Sequence, residues 1–258
     1  MESSCYPNSR RCSVELFLQH DHVTIPLMWE VPKAESLGIL TLSIWVAILE
    51  LLKYIFFRTG LLALNTPVSL FVRASSLQEK TSDLIGQKPP DITKAIPQTS
   101  STEISNLIPD IEIMALASPI AEDLTEYIKR FPTLGIATLY PALLQPKPRG
   151  SVRLASANPY DRPRVNLGYF SDPTDYPTAR KAVRLALKCA ELMKAQGFPI
   201  TRAHQLPEHP DDDEDVDEYI RRWSRTIYHY TSTCRMAPVD DLQPGVVDDE
   251  LKVHGVGI

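Results

Sequence analysis

Twenty-two prolines against ten glycines, spread over 258 residues, narrow the folds open to this chain more than any other feature. Each proline fixes φ and removes an amide donor, so it stops a helix and punctuates a strand. The chain is therefore expected to build short helices joined by frequent loops. The clearest element is an amphipathic helix over 175–196. Ala179, Val183, Ala186, Leu187, Ala190 and Met193 recur at three- and four-residue spacings, while Arg180, Lys181, Arg184 and Lys188 mark the wet side. Gly197 closes it. The acidic run 211–215 precedes a second helix over 216–223, where carboxylates favour the N-terminal end of the dipole. An apolar helix capped by Ser36 runs to about Phe57 and ends at Gly60, and a short one is expected over 123–130. Strands are expected over 68–72, 109–114, 134–144 and, after the turn 146–150, over 151–154. The polar stretch 75–105 reads as a loop or lid. The order predicts an α+β fold, an antiparallel-type sheet with flanking helices, and not a βαβ repeat.

Charge and cysteine content remove several function classes. The formal charge of -5, with Lys and Arg scattered, leaves no basic stripe to neutralise phosphates, so no nucleic-acid partner is expected. Cys5, Cys12, Cys189 and Cys234 form no CxxC pair, and neither a disulfide nor a metal site is assigned. His20 and His22 share a strand face but lack a third ligand. The run 211–215 lacks the glycine and closing glutamate of a calcium loop, Val216 and Arg222 standing in their places. No apolar run follows Arg10 and Arg11, so no secretory signal is read and a soluble protein is expected, its compartment unassigned. The apolar stretch 37–57 is interrupted by Glu50 and Lys53, which makes it nearer a buried helix than the ~20 residues a membrane span needs.

The chemistry-bearing residues gather in the tail. Tyr228-His229-Tyr230 precedes the hydroxylic run Thr231-Ser232-Thr233. Cys234 and Met236 follow, then the turn Gly245-Val246-Val247-Asp248 and an alternating strand through Leu251, Val253 and Val256. The pattern places an imidazole at the edge of a packed sheet. By itself it leaves open whether His229 is only packed between two tyrosines or accepts a proton. Cys234 reads as a small packed residue. A Cys-His nucleophile pair with His229 is set aside, because five residues' separation does not orient a base to a thiol.

This composite resembles the C-terminal signature of the glucose-methanol-choline (GMC) flavin oxidoreductases, where a tyrosine-histidine pair is followed by a Thr-Cys-x-Met step and a Gly-Val-Val-Asp turn. Asp21-His22-Val23 with Pro26, the step Pro146-Lys147-Pro148-Arg149-Gly150-Ser151-Val152 and the helix ending at Gly197 are similar to family segments in the same order. The resemblance implies a substrate-binding domain over 61–224, with 14–60 a remnant bordering a flavin domain and 225–258 the start of the return to it; residues 1–13 are unmatched. It implies FAD as cofactor and oxidation of an alcohol to a carbonyl by hydride transfer to the flavin. His229 would take the hydroxyl proton, a task that suits an imidazole near neutral pH. Asp21, His22 and Val23 would run along the cofactor, although Leu16-Phe17-Leu18-Gln19-His20 stands where the family has Gly and Asn. Substrate-pocket residues are expected from 111–114, 134–144 and 75–105.

No Gly-x-Gly-x-x-Gly occurs in the 258 residues, so the usual cradle for a dinucleotide pyrophosphate is missing. The expectation is an incomplete flavin-binding domain in a chain truncated at both ends, with impaired activity. Its partners would be a small-molecule alcohol and whatever associates through an exposed apolar docking surface. The competing reading is a non-catalytic relic or a small-molecule or protein-binding module.

Overall fold

The structure, a computed structural model, describes residues 19–63, 68–80, 108–121, 125–126, 129, 131, 133–158, 160–238 and 245–254. Most of the expected lid over 75–105 and of the helix over 123–130 lies outside them. The elements are β1 (Val23–Thr24), β2 (Leu27–Val31), α1 (Ile39–Leu42), α2 (Ile44–Phe57), β3 (Val68–Val72), β4 (Ile111–Leu116), β5 (Gly135–Leu143), β6 (Ser151–Arg153), β7 (Arg164–Asn166), α3 (Tyr176–Ala195), β8 (Arg202–Gln205), α4 (Asp213–Trp223) and β9 (Arg225–Thr226). The chain divides into two units, one of 24–144 with 176–225, the other of 1–23, 145–175 and 226–258.

The first unit is built on an antiparallel sheet in the order β3-β4-β5-β2-β8. β5 is its centre. It pairs with β4 from Ile111↔Leu143 to Leu116↔Thr138 and with β2 from Leu27↔Leu139 to Val31↔Gly135. Eight of its nine residues are buried, which is why it reads as an apolar run and not as an alternation. The strand must begin with glycine: a Cβ at Gly135 would stand 2.5 Å from the Val31 carbonyl oxygen and 2.8 Å from that of Pro32. Met28, Phe131 and Ile136 form a core cluster, with Ile120, Ala121 and Leu134 packed on it.

Helix α3 packs on β5, β4 and β2 and buries Ala179, Ala182, Val183, Leu185, Ala186 and Ala190, four of them alanines, whose small side chains suit close packing. Gly197, at φ 96°, ends it, and the Phe198 amide returns to the Met193 carbonyl at 2.9 Å. Arg184 corrects the expected wet face, since only 6% of it is exposed. Its Nε donates to the Pro210 carbonyl at 2.9 Å and its Nη2 to Asp213 at 2.6 Å. The guanidinium finds acceptors at the start of α4, and these permit its burial. Asp212 caps that helix, its side chain accepting from the Glu214 amide at 3.2 Å.

The Arg184 hydrogen bond holds the Asp213 carboxyl below its ordinary value. A lowered folded-state value stabilises above the unfolded carboxylate value and loses that contribution as pH falls through the folded one. Asp213 is half exposed, so solvent screening limits the pair to about 1 kcal/mol. Asp213→Asn is expected to lower the urea midpoint at neutral pH and to match the wild type in acid. Equal midpoints at neutral pH would refute the coupling.

The apolar stretch 37–57 departs twice from expectation. It breaks at Ser43, whose hydroxyl accepts the Val46 amide at 3.4 Å and caps α2. The Ser36 hydroxyl instead donates to the Ala117 and Ile136 carbonyls. The C-cap is Arg58, in the left-handed region at φ 53°, ahead of Gly60. Nor is α2 a buried helix: Trp45 is 78% and Phe56 71% exposed. Its charged pair is turned the other way, with buried Glu50 accepting from Lys53 and from the Leu61 amide, each at 2.6 Å. No described helix is long and apolar enough to cross a membrane.

The second unit contains the hairpin of β6 and β7 and a set of single bridges, Gln19↔Gly150, His20↔Thr231, Met236↔Val247 and Val247↔Val253. The strand expected through Val253 is reduced to one of these bridges, because the chain turns tightly at Asp248 and Leu251 adopts φ 64°. Residues 255–258 lie outside the described set.

Candidate functional site

Everything around His229 hangs on one buried carboxylate. Asp21 is 5% exposed and accepts three donors from within its own unit, the second. The Tyr169 hydroxyl and the Thr226 hydroxyl, the latter at 2.6 Å, meet Oδ2; the backbone amide of His229 meets Oδ1 at 3.0 Å. Thr226 accepts in turn from the Tyr228 amide at 2.8 Å. That bond supports Tyr228 in the left-handed region at φ 63°, a conformation costing a bulky side chain about 1 kcal/mol. A reciprocal pair of backbone bonds between His20 and Thr231, at 3.0 and 2.8 Å, closes the other end of the loop. His229 is thus gripped at its own amide and on both sides in sequence.

The imidazole itself stays exposed and meets His22. The two Nδ1 atoms are 3.1 Å apart, and the ring centroids 5.1 Å apart in an edge-on arrangement. Two imidazole nitrogens at that distance require one to carry the proton and the other the lone pair. In the neutral pair, the donor ring has a bare Nε2 and the acceptor ring a protonated one. Tyr228 and Tyr230 stand edge to face with centroids 6.1 Å apart, both exposed. Burial first, and the Arg149 charge second, hold His20 below the ordinary imidazole value, while Tyr169 is raised well above the phenol range by burial and by its bond to Asp21.

The residues singled out in the sequence fall into two groups. Asp21, His22 and His229 are brought together. Val23 is buried and contributes only its place in the chain. Asp248 shapes a turn as expected: its carboxylate accepts the Glu250 and Lys252 amides at 2.9 and 2.8 Å. Gly245 admits no side chain, since a Cβ there would lie 2.6 Å from the Ala237 oxygen and 2.8 Å from that of Arg235. Cys234 is exposed, not packed, and is a free thiol, as is Cys189; the bend after Ser232, at φ 75°, turns it out. No group of metal-binding side chains occurs among the described residues. Tyr169 and Thr226 were not singled out. They lie 148 and 205 residues from Asp21, and no local spacing marks them.

In the first unit, an apolar cavity of about 230 Å³ lies between the sheet and the end of α3, lined by Trp29, Ala115, Leu116, Ala137, Thr138 and Met193 among others. Its lining on β4 and β5 is Ala115, Leu116, Ala137, Thr138 and Leu139.

Comparison with known proteins gives a family relation for the C-terminal part of the chain. Residues 146–257 match the family model of the GMC oxidoreductase C-terminal domain. The chain is similar to an oxygen-dependent choline dehydrogenase of Brucella ovis, 35% identical over 115 residues, 44% of this chain and 20% of that protein. It is also similar to the GMC oxidoreductase family protein Mala s 12 of Malassezia sympodialis, 33% identical over 125 residues, 47% of this chain and 19% of that one. It spans about a fifth of the length of these curated relatives. Among solved structures, a formate oxidase matches with TM-score 0.66 at 20% identity, over 94% of this chain and 41% of its own. A fungal aryl-alcohol oxidase matches with TM-score 0.56 at 19% identity, over 94% and 42%. At that identity the likeness shows the α+β fold alone.

Proposed function

We propose, from the match of residues 146–257 to the GMC oxidoreductase family model, that the chain serves the FAD-dependent oxidation of a small alcohol to its carbonyl, with His229 as the proton acceptor. The observation that carries the reading is the Nδ1 to Nδ1 contact of His22 and His229 on a loop clamped by Asp21. With His229 as donor, its Nε2 presents a lone pair, at an exposed position, to an incoming hydroxyl. His22 then has one task, to hold the His229 proton on Nδ1.

The residues present fit one end of the cofactor. The exposed histidine edge suits the redox ring, and a bound flavin would supply the hydride acceptor. The Asp21 carboxylate is saturated by protein donors, which leaves the backbone of 21–23 as the part available to line a cofactor. For the pyrophosphate, no glycine fingerprint exists in the 258 residues. We assign 14–60 and 225–258 as the segments that border the flavin domain, and 61–224 as the substrate domain.

The test is anaerobic reduction of protein carrying FAD. A primary alcohol should bleach the flavin band in the wild type and fail to do so in His229→Gln. Unchanged bleaching in the variant would refute the role of His229, and absence of flavin binding would favour the binding-module reading.

A further inference from the structure

We propose that the apolar cavity between the sheet and the end of α3 is a small-molecule site in its own right, one that takes a neutral aromatic ring compound. The strand register builds it. Trp29 stands opposite Ala137, and Ala115 opposite Leu139. Residues 137 and 139 lie two apart on β5, so all four side chains share one face of the sheet. From the other side α3 brings Ala190 and Met193, and the chain beyond Gly197 adds Phe198. Alanine at 115, 137 and 190 leaves the space open between these larger neighbours. Its volume is about 230 Å³, half again that of an apolar cavity of about 150 Å³ that admits benzene, which by proportion gives room for about nine carbon atoms.

The lining selects the chemistry. No side chain on it is ionisable. The Thr138 hydroxyl already donates to the Ser118 carbonyl at 2.6 Å, and the backbone of 137–139 is paired with β4 on one side and β2 on the other. A charged or strongly hydrogen-bonding ligand would lose its water there and gain no partner. Water is held no better, because it lacks the set of polar partners it needs. A ring is favoured over an alkyl chain by Trp29 and Phe198, which offer edge and face contacts, and by the adaptable thioether of Met193.

The experiment is titration of the 258-residue chain with bromobenzene, whose heavy atom quenches tryptophan fluorescence on contact. Neither flavin nor alcohol is needed, so the result is independent of the oxidase reading. Trp29, 6% exposed, lines the cavity, whereas Trp45 and Trp223 do not. Saturable quenching is expected, with a Kd on the order of 0.1–1 mM for so small a ligand. Trp29→Phe should remove the saturable part. Ala137→Leu fills the space and should weaken binding at least about tenfold. Circular dichroism checks that it folds, and Ala115→Leu makes the same test from β4 if it does not. The para-bromobenzoate anion, the same ring with a charge, should bind at least about 100-fold more weakly. Quenching that rises linearly without saturation overturns the proposal, as does a saturable part unchanged in Trp29→Phe. A filled variant that binds like the wild type, or an equal affinity for the anion, overturns it as well.

Discussion

Asp21→Ala is expected to dismantle the site before any chemistry is tested, lowering stability to urea by about 3–5 kcal/mol. The size follows from what the carboxylate holds. The Tyr169 hydroxyl, the Thr226 hydroxyl and the His229 amide lose their acceptor together, at a position 5% exposed where water does not readily replace it. Two local readouts separate this from general destabilisation. The His229 amide should exchange with solvent at close to the rate of an open peptide. The Tyr169 phenol, raised by burial first and by its bond to Asp21 second, should ionise at lower pH once the second cause is gone. Asp21→Asn should lie between, because it keeps one acceptor oxygen but turns an NH2 group on a ring of donors. Unchanged exchange at His229 in Asp21→Ala would mean that the loop is held by other contacts.

His229→Gln is expected to slow alcohol oxidation by flavin-loaded protein by about 10²- to 10⁴-fold, the range for loss of a positioned base, with flavin binding little changed. His22→Phe should be milder, about tenfold. It keeps a ring of similar volume beside His229 but removes the Nδ1 acceptor, so the His229 proton is free to move to Nε2 and block the lone pair for part of the time. The ratio of the two losses is the informative quantity. A loss in His22→Phe as large as that in His229→Gln would reverse the roles and make His22 the base. Nitrogen NMR of the two rings would read the same assignment directly, as one protonated and one bare Nε2.

Much of the fold was legible because it rests on local patterns. The Ala179, Val183, Ala186, Ala190 stripe foretold the buried face of α3, and the apolar stretch 134–144 foretold β5. The mistakes share a cause. Arg184 was read as solvated because charge predicts exposure only until a partner is found, and its partners come from the start of α4. The helix at 44–57 was read as buried because apolar content predicts burial only where another element covers it. Cys234 was read as packed from its neighbours in sequence, whereas a bend turns it out.

The candidate site divides in the same way. His229 was visible as a candidate proton acceptor, and Asp21 and His22 only as part of a segment expected to run along a cofactor. Tyr169 and Thr226, the groups that set the geometry, were not. The sequence by itself determined most of the elements, the alanine face of α3 and the absence of a glycine fingerprint within the 258 residues, since periodicity and residue chemistry act over a few positions. Only the tertiary structure decided that His22 and His229 meet across 207 residues, that Asp21 grips the loop between them, and that α2 turns its apolar face outward. Those outcomes depend on which distant donors and acceptors arrive together, and no short-range pattern encodes that.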